Sequence, residues 1–426
     1  MKRIFPSLSV WTMAAAVVSA AGQLPAQQSL TWDQVKARFE VTNPALKADA
    51  DSVDEMRAEE ITAYLRPNPQ FTLTQDGTQI VSHDGVWQPF RGTYVIPSFS
   101  YLHERDHKRE LRLESAQQGT RISESEHEDL KRNLEFTLRS AFVQTLEAKD
   151  VLKLARDDLD YYDHIIQISQ DRLKAGDIAQ IDFDRIELMR VQYESELETA
   201  IVNLRTAKIQ LLQLLDDRTP VDQFDIDGTF DFSDTLQPLE TYRDAALAAR
   251  PDLQAALLTI QQSETNHKLA ISNGSTDPTW GAWYTWNSSN NNPNGLQTLG
   301  LSVSIPLRVF DRNQGEKKRT EIDMERSREA SEATRAQVFS DVDTAYETVR
   351  SSVALLKPYK DKYNDEALRV RNTVTYAYQH GGASLMDFLN AQSDYRQVQL
   401  AYAQLIGAYL TAAGQLNLAV GREVIP

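Results

Sequence analysis

The chain of 426 residues contains no cysteine. Disulfides, thiol catalysis and cysteine-ligated metal sites are therefore excluded, and a bacterial lipoprotein with an acylated N-terminal cysteine is not expected. Basic residues are also in short supply. Lys and Arg total 45 against 61 Asp and Glu, a net charge of −16, which argues against nucleic acid as a partner and suits the solvated faces of long helices. After the N-terminal segment no stretch holds 18 successive apolar residues, so no membrane-spanning helix is expected. With seven His and six Met, dedicated metal ligation is not expected. Proline is missing over a long interval: Pro97 and Pro220 bracket 122 residues whose only glycines are Gly119 and Gly176. Such a gap favours uninterrupted helix, because proline and glycine are the usual helix breakers.

What is present begins with an export signal. Lys2 and Arg3 precede an apolar core from about Leu8 to Val18 and the small-residue run to Leu24-Pro25-Ala26, a secretory leader with cleavage expected after Ala26. Its removal takes the charge to about −18. Within the proline-free interval, Leu134, Leu138, Ala141, Thr145, Ala148, Leu152, Ala155, Leu159, Tyr162, Ile166, Ser169 and Leu173 alternate at spacings of four and three. That is a heptad seam, and it stops at Gly176-Asp177. A return seam follows through Met189, Tyr193, Leu197, Ala200, Leu204, Ala207, Leu211 and Leu214. Long helix, glycine tip and return helix make a coiled-coil hairpin.

The pattern is written twice. Gly176 to Phe183 aligns with Gly381 to Phe388, both ending in Asp-Phe, and a seam from Phe388 through Ala391, Tyr395, Val398, Tyr402, Leu405, Tyr409 and Leu416 follows the second tip. Asn68-Pro69 matches Asp277-Pro278, and Ile96-Pro97 matches Ile305-Pro306, each 209 residues apart, whereas the tips are 205 apart. The second long helix is thus about one turn shorter, and Pro358 should kink it. The expected division is a leader at 1–26, a first repeat at 27–217, a linker rich in Asp and Pro at 218–239, a second repeat at 240–421, and a tail at 422–426. Asn43-Pro44 should start an upper helix, with Asn as cap and Pro in the first turn. One long helix of about 72 residues spans about 108 Å, matched by the upper and return helices stacked end to end.

Each half also carries a β-hairpin, at about 70–102 and about 279–307. Phe71-Thr72-Leu73-Thr74 alternates apolar and polar, as does Leu299-Gly300-Leu301-Ser302-Val303-Ser304-Ile305, with Trp280 to Trp286 as an aromatic-rich partner and Ser288 to Gly295 as a polar loop. Leu299, Leu301, Val303 and Ile305 share one face, which reads as lipid-facing because nothing in the chain is amphipathic enough to cover it. Four strands cannot close a membrane barrel, and open edges in lipid cost several kcal/mol per unsatisfied group, so three copies giving twelve strands are expected.

Leader, two repeats, a hairpin and proline at each strand-to-helix junction, and Gly-x-x-x-x-x-Asp at both tips together resemble the TolC family of outer-membrane efflux proteins. The resemblance covers essentially the whole mature chain. It implies a mixed α and β membrane protein: a homotrimer forming a 12-stranded outer-membrane β-barrel continued by a 12-helix periplasmic α-barrel. It also implies a passive exit duct of a tripartite efflux pump, partnered by outer-membrane lipid, a periplasmic adaptor (membrane fusion protein) and an inner-membrane pump of RND or ABC type. Export by type I protein secretion uses the same duct. The resemblance places the periplasmic gate at Asp387, with Asn390 where the family has a second aspartate, and at Tyr378 bonded to Asp182. Ala383 stands where the archetype has an arginine. Gly176 and Gly381 match the tips that adaptors grip. Capping of their own helices by Asp182 and Asp387 is the plainer reading of those two residues.

One motif points elsewhere. His103-Glu104-Arg105-Asp106-His107 satisfies H-E-x-x-H, the zinc-protease pattern that sets two imidazoles on one helical face. Its charged interior and the want of a third ligand speak against zinc, so neither enzyme activity nor a cofactor is expected. A periplasmic coiled-coil structural protein, with soluble sheets, is the remaining reading.

Overall fold

A computed structural model describes residues 29–90, 92–286 and 296–425. The expected leader and the Ser288–Gly295 loop lie outside the described residues. Element order is β1 (Ser29–Leu30), α1 (Trp32–Thr42), α2 (Pro44–Tyr64), β2 (Gln70–Asp76), β3 (Tyr94–Leu102), α3 (Lys108–Ala175), α4 (Gln180–Leu214), β4 (Asp225–Ile226), α5 (Leu239–Ala249), α6 (Pro251–Asn273), β5 (Thr279–Trp286), β6 (Gln297–Ser304), α7 (Gln314–Pro358), α8 (Asn364–Gln379) and α9 (Leu385–Val420). No helix among the described residues is long and apolar enough to cross a membrane.

The 68-residue α3 is the spine. It packs on α2 and α4 along one side and on α6 and α9 along the other, with α7 and α8 beyond those. The seam explains this. Leu138, Ala141, Thr145, Leu152, Tyr162 and Ser169 are buried and no seam residue of α3 is exposed, so alternating four- and three-residue steps keep one stripe against the neighbours. The short partners stack end to end, as their lengths require. Asn43 accepts from the Ala45 and Leu46 amides, capping α2, while its Nδ2 donates to the Leu214 carbonyl at 3.1 Å and the Thr42 hydroxyl donates to the Leu215 carbonyl at 2.7 Å. The start of α2 thereby satisfies the end of α4. In the second half, the Arg250 guanidinium donates to the Ala419 carbonyl where α9 meets α6.

Pro358 ends α7, and Tyr359–Tyr363 form a π-helical turn before α8. The missing proline N–H and the ring's crowding of the preceding turn force the ladder to widen there. The segment between the halves is more ordered than a loose linker. Its β4 pairs in parallel with β1, and Phe224, Ile226, Phe230 and Phe232 pack onto two cores around α3 and α9, forming a belt on one side of the bundle.

The four long strands form one antiparallel sheet in the order β2-β3-β5-β6, the two hairpins joined through β3 and β5. Strands run seven to nine residues.

Candidate functional site at the helical tips and the exposed sheet

Gly176 and Gly381 close the two hairpins with φ of 82° and 77°, the left-handed conformation that a side chain would strain. Each tip satisfies its helix end by backbone bonds, Asp177 N–H to Arg172 O in the first and Gly382 N–H to Ala377 O in the second. The return helices start differently. Ser384 caps α9: its hydroxyl accepts from the Asp387 amide and donates to the Asp387 carboxylate at 2.7 Å, and the carboxylate also accepts from the Ser384 amide. The Ser384 hydroxyl and amide hold Asp387 below the usual carboxylate range. Ala179 stands at the corresponding position of α4, so Asp182 has no capping partner. Asp387 and Asn390 are both exposed, one turn apart on α9.

Tyr378 does not bond to Asp182. Its ring stacks on Phe388 at 4.9 Å, within a cluster that includes Tyr162, Ile165, Ile186 and Leu385. Burial, and then the charge of Asp182, push its phenol up, but the hydroxyl has no hydrogen-bond partner. Beside the tips the hairpins are joined by Arg172, which donates to the Tyr378 carbonyl at 2.9 Å and lies over its ring at 4.9 Å. Sequence reasoning passed over Arg172, because a cation in a last helical turn already has a local explanation in the helix dipole. It also missed a second heptad stripe on α4: Ile181, Leu188, Val202 and Ile209 are all left more than half exposed by the described residues.

In the sheet, cross-strand register places Leu299, Leu301 and Val303 beside Tyr284, Ala282 and Trp280, then Pro97, Phe99 and Tyr101, then Leu73 and Phe71. One face is thus apolar across all four strands, with Leu301 at 76% exposure. Ile305, just past β6, is exposed as well. The other face carries Thr72, Ser98, Ser100, Thr279, Ser302 and Ser304, and the Trp283 indole lies flat against Gly300, where no side chain would fit.

The H-E-x-x-H segment is not helical. His103 follows the end of β3, and α3 starts only at Lys108; Asp106 and His107 are left-handed, with φ of 56° and 58°. The two imidazoles therefore do not share a helical face. Glu104 is engaged by Arg112 at 2.5 and 2.9 Å, and Lys108 and Arg105 fasten Asp277 and Thr276 of the other half. The motif's charges pin the two strand-to-helix junctions together.

With this geometry in view, residues 242–422 match the family model for outer membrane efflux proteins. The match covers the second repeat. The chain is similar to the cobalt-zinc-cadmium resistance protein CzcC of Cupriavidus metallidurans, 23% identical over 390 residues, covering 89% of this chain and 87% of CzcC. Its fold is shared with CusC (TM-score 0.76, 16% identity, 92% of each chain). VceC of Vibrio cholerae (0.72, 14%, 92% of this chain and 97% of VceC) and MtrE of Neisseria gonorrhoeae (0.73, 16%, 92% and 89%) share it too.

Proposed function

We propose that this chain is the passive outer-membrane duct of a tripartite export system, working as a homotrimer with a large periplasmic part. The observation that carries the reading is a chain unfinished in two places at once. Its four-stranded sheet has open edges at β2 and β6 under a continuous apolar face, and such edges are not tolerated in lipid. Its α4 carries an uncovered heptad stripe, which calls for a helical neighbour. Three copies answer both demands, giving twelve strands and a ring of twelve helical columns built from repeats at about 27–217 and 240–421. Nothing in this duct calls for catalysis.

The tips at Gly176 and Gly381 are the proposed docking points for a periplasmic adaptor and, through it, an inner-membrane pump of RND or ABC type. Asp387 and Asn390 line the proposed gate, and the Arg172–Tyr378 contact holds it shut in place of the Tyr378–Asp182 bond. Three Asp387 carboxylates brought to one axis would favour cations. The likeness to a protein named for cobalt, zinc and cadmium resistance supports the same cargo charge. Deleting the chain is expected to raise cellular zinc and cobalt in challenged cells, restored by the wild-type chain. Unchanged metal accumulation alongside loss of a secreted protein would instead assign the duct to type I secretion.

A further inference from the structure

A groove of about 630 Å³ runs between α3, α4 and α9. Its place on the bundle follows from the helix period. Phe142 and Lys149 of α3 face the belt, Lys149 donating to the Ile226 carbonyl, whereas Gln144, Val151 and Asp158 line the groove. Lys208 of α4 donates to the Phe224 carbonyl of the belt, whereas Asn203 and Gln210 line the groove. On α9, Tyr409 bonds the belt at Ser233, whereas Gln397 and Gln404 line the groove. On α3 and α4 the sets are offset by two residues, about 200° around the axis, and on α9 Tyr409 stands five residues from Gln404, about 140° away. Belt and groove therefore occupy opposite faces, and with the belt outside, the groove opens into the duct.

The lining is amphipathic and negative. Val151, Leu154 and Leu400 give it an apolar floor, and side-chain amides such as Gln144 and Asn203 ring it. Arg396 neutralises Glu196 through contacts of 2.7 and 2.6 Å. Glu147 and Asp158 have no salt-bridge partner among the described residues, and the Glu147 carboxylate rests on Gly407, where a side chain would collide with it. Two carboxylates without a salt bridge beside an apolar floor, in a cavity of small-molecule size, match a cation with a hydrophobic body. A strongly hydrated metal ion gains nothing from such a floor.

We propose that this groove binds amphiphilic organic cations on their way through the duct. The proposal rests on the duct reading and widens its cargo beyond metal ions. The state of Asp158 supports it. Burial pushes that carboxyl up to about 6, against the Arg396 guanidinium of α9 and the Arg371 guanidinium of α8, with Glu196 of α4 and neighbouring Asp157 adding to the rise. Burial alone pushes Glu147 up. Carboxylates disfavoured by burial are relieved when a cation arrives, so binding strengthens as pH rises through about 6.

The test is equilibrium dialysis of tetraphenylphosphonium against the full chain in lipid nanodiscs. One site per chain is expected. The Glu147→Gln, Asp158→Asn double variant should weaken it at least about tenfold, as for loss of a partly desolvated charge contact. Thr199→Trp, which fills the groove from its exposed wall without removing a charge, should weaken it too. Equal binding by wild type and both variants overturns the proposal, as does displacement of the probe by zinc at equal concentration, which would mean that the site reads charge alone. Single-channel conductance of the same preparation reports on the duct separately. Absent probe binding with normal conductance condemns the groove alone, whereas bound probe with no conductance condemns the duct.

Discussion

At the scale of single residues, Asp158 gives the sharpest expectation. Its carboxyl titrates near 6 in the folded chain, above the ordinary carboxylate value of 3.8. The folded state thus binds the proton more tightly than the unfolded one, so this group's contribution favours folding below about pH 4 and is lost as pH rises through 6. Asp158→Asn should therefore stabilise the chain at pH 7 by about 1–2 kcal/mol after allowance for solvent screening, with the gain vanishing at low pH. Thermal unfolding against pH checks this; a variant no more stable than wild type at pH 7 contradicts it. Ser384 gives a second expectation. Ser384→Ala removes the cap on α9 and should cost about 1 kcal/mol locally, read as faster amide exchange at Met386 to Phe388, while Thr199→Ala on an exposed helix face changes nothing there. Asn43 was readable as a cap because a cap is a rule of a few adjacent residues, whereas at the second tip capping was expected of Asp387 and Ser384 is the cap. Arg172 and Glu147 were not readable, since their meaning lies in residues more than 200 positions away, Tyr378 and Gly407.

At the scale of elements, heptad spacing told where α3, α4 and α9 run and which side they bury. Pro358 announced the break in the second long helix, though not that a π turn would absorb it. Periodicity could not tell which apolar stripe meets the chain itself and which waits for another copy. Leu188 and Val202 each lie two residues from a buried position, Ile186 and Ala200, and read as noise until the neighbours are in place. The tips follow the same division. Glycine marked both turns, but the contact joining them came from outside the turn sequence. Arg172→Ala should loosen the Tyr378–Phe388 stack and raise resting single-channel conductance several-fold. Arg172→Lys, which keeps the charge but not the planar stacking over the ring, should recover only part of the closed state. Equal conductance in all three forms would remove Arg172 from the gate.

At the scale of the whole molecule, the sheet and the bundle pose one problem with one answer. The alternating strands told that one face is apolar, and cross-strand register adds that the four strands present it in unison. Leu301→Arg should cost about 2–4 kcal/mol at mid-bilayer depth and abolish insertion, whereas Ser302→Arg on the opposite face should insert normally. Heat-resistant assembly in outer-membrane extracts distinguishes the two. The central claim, that three copies make a gated passage, is tested most directly by planar-bilayer recording of the purified chain, with its mass determined in the same detergent. The account predicts a trimer with small, cation-selective conductance that multivalent cations block, and Asp387→Ala with larger conductance and weaker block. A monomer soluble without detergent, or a trimer that carries no current, would contradict it.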